Sequence, residues 1–366
     1  GMRSVRRNGT AFKAAPTDFQ FPISVTALPV NAIGPIMGND VSAVIGAGRV
    51  VMGARGAALN GAQVGDTLEL VADDGSSKIF TIGLVADDGA VGGAEVVMSP
   101  AMADTLGVVI ETRVVMWGFS SRGAVDAALD ESGLTARSDT RIRRSWDAVD
   151  PDSTLGLVAT KRLLGEFAYS VAADDTVSLT GDWSATYLPA GRELLVAEIP
   201  IRARCNNTIR ADLVAALTEV AQRGLADAIE VANANAYGGC FNARFNRLSA
   251  ALGSLSRHAW GGALDTNTVS NAQGSVPQMN CDVVRIFRKH NFAWGGNFLT
   301  PDGMHFEWVG TRRDQLQYPS KYCPNLADAS MTTGAAAEGG WPSTKSVVIG
   351  AARDTLFADD GWSDNG

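Results

Sequence analysis

Three histidines occur in the 366 residues, and two of them fall in short segments that also carry aspartate. One segment is Ser256-Arg257-His258-Ala259-Trp260-Gly261-Gly262-Ala263-Leu264-Asp265. The other is Pro301-Asp302-Gly303-Met304-His305-Phe306-Glu307-Trp308. Two neutral imidazoles and one carboxylate commonly hold a catalytic zinc ion (Zn2+) and leave a coordination position for water. His258, Asp265 and His305 form such a donor set. Asp302, shortly before His305, is placed to act as the base toward that water. Glu307 alternates onto the same strand face as His305 and so is positioned to orient a ligand imidazole from behind. A solvated or merely structural carboxylate at 307 is the equally weighted alternative.

Short elements must bring these residues together. Gly261 and Gly262 permit a sharp turn after His258, and Gly262–Asp265 suits one short strand. Met304–Val309 alternates Met, Phe and Trp on one side with His305 and Glu307 on the other, the pattern of a half-buried strand facing a site. Ile209, Leu213, Ala216, Leu217 and Val220 mark one face of a helix over Ile209–Arg223, with Gly224 as its stop. A second helix is expected over Val283–Lys289, and a further strand over Leu194–Ile201. His290, the remaining histidine, ends the second helix, where an imidazolium suits the helix dipole, and is read as structural. The expected fold of this part is α+β, a small antiparallel sheet with packed helices and zinc in a groove.

The first 140 residues read as a mainly β domain. Thr67–Val71 leads into Asp73-Asp74-Gly75, and Lys78–Val85 leads into Asp87-Asp88-Gly89, two Asp-Gly steps of the hairpin type. Ser99–Leu106 predicts a short helix capped by Ser99 with Pro100 at its first position. Val44–Val51 superficially follows a dinucleotide fingerprint, but Val51 replaces the third glycine and no βαβ alternation follows, so strand-turn-strand is expected. Gly1-Met2-Arg3 reads as the remnant of a cleaved tag and is set aside from fold reasoning. The polar stretch 141–155 predicts a linker, 156–330 the zinc domain, and 331–366 a tail in which Ser346–Gly350 can form an edge strand.

Composition excludes several classes. Hydrophobic residues make up 46% and charged residues 19%, as in ordinary globular proteins. A net charge of −8 argues against a nucleic-acid partner. No apolar run is long enough to cross a bilayer, so membrane attachment is expected only through a segment outside this sequence. Cys205, Cys240, Cys281 and Cys323 show no CxxC spacing, which argues against a thiolate zinc site.

The frame Ser-x-His-x-x-Gly-x-Ala-x-Asp, the later Asp-x-x-His-Phe-Glu, and Phe292-Ala293-Trp294-Gly295-Gly296-Asn297-Phe298 together resemble the zinc D-alanyl-D-alanine carboxypeptidases of the VanY type. They equally resemble the related L-alanyl-D-glutamate endopeptidases of cell-wall lysis. The likeness spans roughly 201–310; Asn291 stands where glycine is commoner in these families. It implies a hedgehog/DD-peptidase-like fold, zinc ligands at His258, Asp265 and His305, and a catalytic carboxylate at Asp302. It also implies an arginine that binds substrate and steadies the transition state, matching Arg244, with Arg247 as runner-up. Ser256 would hold substrate or the ligand loop, and Trp294 would contact substrate. The implied activity is hydrolysis of peptidoglycan stem peptides outside the cytoplasm, extracellularly or in the cell envelope. On that ground at least one disulfide is expected, although four buried thiols fit the residues alone equally well. A zinc-containing cell-wall binding module without catalysis is the alternative. Gln63–Leu68 with Phe80–Leu84 resembles the extracytoplasmic domain of FtsX/MacB-type permeases, implying an envelope location and a non-catalytic, scaffolding role for the first domain.

Overall fold

The structure, a computed structural model, describes residues 1–107, 114–137, 140–144, 146–232, 236–247, 254–325 and 347–350. Two units are distinguished. The first comprises Gly1–Ser121 and Gly156–Thr180; the second comprises Arg122–Leu155 and Gly181–Val347.

The first unit is built on a seven-stranded mixed sheet. Its strands are β1 (Met2–Arg7), β2 (Thr10–Ala14), β3 (Val25–Ala27), β4 (Val50–Gly53), β5 (Thr67–Val71), β6 (Ser77–Ala86) and β7 (Val96–Met98), in the order β2-β1-β5-β6-β4-β7-β3. Strand alternation divides the core in two. Val50, Met52, Leu68, Leu70, Val96 and Met98 face one side, with Met2 and Val5. Val51 and Val97 face the other, covered by Ile33, Ile36, Val41 and Ile45 from α1 (Val30–Met37) and α2 (Asn39–Gly46).

Several expectations for this unit are corrected. The sheet is mixed, with β4 parallel to β6 and β3 parallel to β7, which keeps the unit mainly β with a few helices but makes it more than a set of hairpins. Met2, set aside with the first residues, is fully buried in β1, an interior strand that pairs with both β2 and β5. The first Asp-Gly step does turn the β5–β6 hairpin, with Gly75 at φ +80°. The second does not. Asp88 instead receives the Arg55 backbone N–H at 3.2 Å, at the start of α3 (Ala54–Asn60), and the chain moves on to β7. Val44–Val51 is helix-turn-strand, because Val41 and Ile45 share the buried face of α2. Ser99 caps α4 (Pro100–Asp104) as expected, its Oγ accepting from Met102 N. α5 (Leu157–Leu164) brings Lys161 to Glu95, both fully buried, with Nζ 2.6 Å from Oε1.

In the second unit the hydrophobic face of α6 (Arg210–Gln222) buries Leu213, Ala216, Leu217 and Val220. α7 (Cys281–Lys289) starts where the Asn280 side chain accepts from Asp282 N and Val283 N, and packs against α6. Three antiparallel strands follow: β8 (Ala263–Asp265), β9 (Phe292–Trp294) and β10 (His305–Trp308), with β10 central. Phe287 of α7 stacks on Phe306 at 4.1 Å and meets Phe292 edge-on, tying helix to sheet.

The stretch 141–155 is not a linker. It contains a strand, Ile142–Arg144, and buries Asp150, Asp152, Ser153 and Thr154 within the second unit. Leu194–Ile201 is not one strand; Glu193–Leu194 and Arg202–Ala203 form a minimal antiparallel pair around it. Two disulfides, Cys205–Cys240 and Cys281–Cys323, close loops of 35 and 42 residues in this unit. Cross-links of that span typically contribute about 2–4 kcal/mol each. Val347–Gly350 is a strand; the rest of the tail from 331 lies outside the described residues. No helix among the described residues is long and apolar enough to cross a membrane.

Candidate metal centre

Strand register creates most of this site. Asp265 of β8 and His305 of β10 are directly opposed partners in the antiparallel ladder, so two candidate ligands meet across one rung. His258 arrives on a single 3-10 turn, Arg257–Trp260, whose N–H at His258 is capped by Ser256 Oγ at 3.3 Å. Gly261 ends that turn in the left-handed region, φ +61°, and returns the chain into β8.

The three donors converge. His258 Nε2 lies 3.1 Å from Asp265 Oδ1 and 3.2 Å from His305 Nδ1, and His305 Nδ1 lies 3.0 Å from the same Oδ1. A tetrahedral zinc with bonds of about 2.1 Å spaces its donor atoms roughly 3.4 Å apart. The remaining ring nitrogens are occupied in the way a metal site needs. His258 Nδ1 donates to the Cys240 carbonyl at 2.8 Å, which leaves the Nε2 lone pair free. His305 Nε2 faces Glu307 Oε2 at 3.4 Å, which directs Nδ1 inward. Among the described residues these three form a group able to hold a metal ion, and the donor chemistry fits zinc.

Electrostatics follow from that crowding. Burial pushes the Asp265 carboxyl up, but the imidazoles of His258 and His305 outweigh it and hold the group far below the usual carboxylate range. Burial pushes His305 down, while its bonds to Asp265 and Glu307 push it up, with a net value of about 10. In the absence of a cation, a proton on His305 therefore takes the place of positive charge among the three donors.

Asp302 stands at the edge of this cluster, on the turn entering β10. Its backbone N–H donates to Gly295 O at 2.8 Å, and its carbonyl accepts from His305 N. A Cβ at Gly295 would lie 2.6 Å from Asp302 O, so only glycine lets this turn close. Asp302 Oδ2 receives Gln273 Nε2 at 3.3 Å, whereas Oδ1 is buried and has no hydrogen-bond partner. Burial raises its pKa and Asp265 adds to the rise, against the lowering effect of both imidazoles and Arg244. Arg244 lines the same small cavity of about 40 Å³, together with Ser256, Asp302, His305 and Glu307. Its Nε is also buried without a partner.

The other expected residues separate. Ser256 is placed to cap the ligand turn and also lines the cavity. Arg247 is exposed and is not among the residues lining the cavity. Trp294, expected at the substrate, is 1% exposed and donates Nε1–H to Gly303 O at 2.9 Å. An indole already satisfied in the core props the turn that carries Asp302 and has no face left for a ligand. His290 pairs with Glu219 at 2.7 Å at the end of α7, consistent with a structural role.

Three contributors were missed in the sequence. The Cys240 carbonyl is a backbone group, and only Gly238-Gly239 before it signals a close approach to β8, where Gly238 N donates to Asp265 O. Arg257, inside the first segment, bonds Glu307 Oε1 through Nε at 3.1 Å and Leu155 O through Nη2 at 2.6 Å. Gln273 lies in a loop with no periodicity to mark it.

Residues 250–308 match a family model described as D-alanyl-D-alanine carboxypeptidase. The match contains every member of the donor set and Asp302, and supports the resemblance over that segment. No curated protein and no solved structure matches the chain.

Proposed function

We propose that the second unit is a zinc metallopeptidase that hydrolyses peptide bonds in peptidoglycan stem peptides, either at terminal D-Ala-D-Ala or at L-Ala-D-Glu. The observation that carries this reading is the pairing of a preset donor triad with a buried, unpartnered carboxylate oxygen beside it. Zinc at His258, Asp265 and His305 would supply Lewis acidity toward a carbonyl and acidify water. Asp302 Oδ1 accepts the proton of the attacking water and passes it to the leaving amine; burial raises its pKa, which favours its holding the proton between those two events. Arg244 Nε, buried and free to donate, offsets the negative charge that grows on the scissile oxygen. Glu307 holds the His305 ring and is itself held by Arg257. Two disulfides suit an extracellular or envelope location. The first unit is read as a non-catalytic carrier.

Elemental analysis followed by mass spectrometry of digested muropeptides tests the reading. Release of D-alanine identifies a carboxypeptidase, and separation at L-Ala-D-Glu an endopeptidase. Bound zinc with no cleavage of either bond sinks the catalytic reading in favour of a binding module.

A further inference from the structure

Phe298 is a shared wall. Its ring lies 5.9 Å from that of His305, and it lines both the cavity of about 40 Å³ beside the triad and a second, larger cavity of about 220 Å³. The larger one has an apolar side formed with Pro301 and Tyr318, and a polar rim that carries Arg141, Arg144 and Lys321 against one carboxylate, Asp150. Much of that rim comes from residues 135–150 and 318–322, outside the segment that matches the carboxypeptidase family.

Among the described residues, the charges around this cavity do not balance. Asp150 faces two guanidinium groups, Arg143 at 3.4 Å and Arg141 at 3.9 Å. Arg144 is met by Asp126 at 2.8 Å and by Asp147 at 4.0 Å. Lys321 has no carboxylate partner among the described residues; its ammonium sits 5.1 Å from the Tyr322 ring. Ser320, 8% exposed on the same wall, has a buried Oγ with no hydrogen-bond partner. An unpaired buried hydroxyl is destabilising until it finds a partner. Cationic groups over a low-dielectric wall also concentrate positive potential. Both features call for one thing, a negatively charged acceptor with an apolar body.

We propose that this cavity is a subsite for a carboxylate-bearing residue of a peptide, in which Lys321 and Arg141 face the carboxylate and Ser320 Oγ donates to it. That the residue belongs to the substrate rests on the peptidase reading; the binding itself does not. Calorimetric or NMR titration of the zinc-loaded protein with N-acetyl-glutamate α-N-methylamide, whose one carboxylate is the side chain's, and its neutral isostere N-acetyl-glutamine α-N-methylamide tests it. The acid is expected to bind at least tenfold more tightly. That preference should vanish in Lys321→Glu and shrink in Ser320→Ala, with zinc content unchanged. Lys321 is exposed, so its variant does not threaten folding. Equal binding of acid and amide overturns the proposal. So does acid binding that survives Lys321→Glu but disappears when zinc is removed, since the carboxylate then sits on the metal. Acid-selective binding that depends on Lys321, with no cleavage of any stem peptide, supports the subsite and sinks the peptidase reading alone.

Discussion

Two aspartates in the second unit, the buried Asp152 and the half-buried Asp302, have opposite surroundings. Asp152 is saturated: Oδ1 accepts from Arg288 Nε at 2.9 Å and from Trp294 N at 3.0 Å, while Oδ2 accepts from Arg288 Nη2 and from Asn297 at 2.7 Å. Arg288 spends its other donors on Cys323 O and Asn325 Oδ1. Asp302 has one long bond from Gln273 and one bare oxygen, and the nearby Arg244 has a bare Nε. A buried charge that is fully matched fixes geometry. One that is left unmatched at a cavity retains the capacity to react, at a cost in stability that the rest of the fold must offset.

Substitution separates the two. Asp302→Asn should lower hydrolysis by about 10²–10⁴-fold, the usual contribution of a positioned proton carrier, with zinc content unchanged. Because burial raises its pKa, the ionised group weakens the fold as pH rises through the carboxyl range, so the neutral isostere should unfold at an equal or higher temperature. Full activity in that variant would remove Asp302 from the mechanism. Asp152→Ala strands Arg288 in the core and should cost roughly 3–5 kcal/mol in urea denaturation. An unchanged midpoint there would end the contrast between the two aspartates.

The same contrast explains what could be read in the sequence. The triad was legible because β8 and β10 are short, alternate cleanly and carry rare residue types at opposed positions. The buried face of α6 followed from apolar spacing. Asp152 was not legible: Asp150-Pro151-Asp152-Ser153 has linker composition, and only the distant Arg288, Trp294 and Asn297 turn it into a core node. Trp294 was expected at the substrate only because the resemblance implies it, and nothing local marks that Gly303 O takes its N–H in the core. In the first unit, Val44–Val51 followed helix packing against the sheet, a tertiary effect that local alternation does not record.

The two imidazoles offer a smaller-scale version of the comparison. His258 is oriented by a backbone carbonyl that no side-chain change removes, held in a segment fastened by Cys205–Cys240. His305 depends on the Glu307 carboxylate. Glu307→Gln should therefore weaken zinc binding about 10–100-fold, read by competition with a chelator. Unchanged affinity would mean that β10 alone positions the ring.

Acidity gives the gentlest probe. With His305 raised from 6.5 to about 10, its imidazolium stabilises the zinc-free protein fully below pH 6.5, and that contribution is lost as pH rises through about 10. Zinc needs the same Nδ1 without a proton, so binding near neutrality should release one, and affinity should grow with pH. Scanning calorimetry with and without chelator should then show two opposite trends: Tm of the zinc-free protein falling between pH 6.5 and 10, and the increment added by zinc rising across the same window. Asp265 is the other half of this ion pair, so its depressed pKa is no separate source of stability in that range. A zinc increment that does not change with pH, or calorimetry in buffers of different ionisation enthalpy that finds no proton released, would show that His305 is already neutral before the metal arrives. His305 would then resemble His258 in needing only a neighbour that orients its ring.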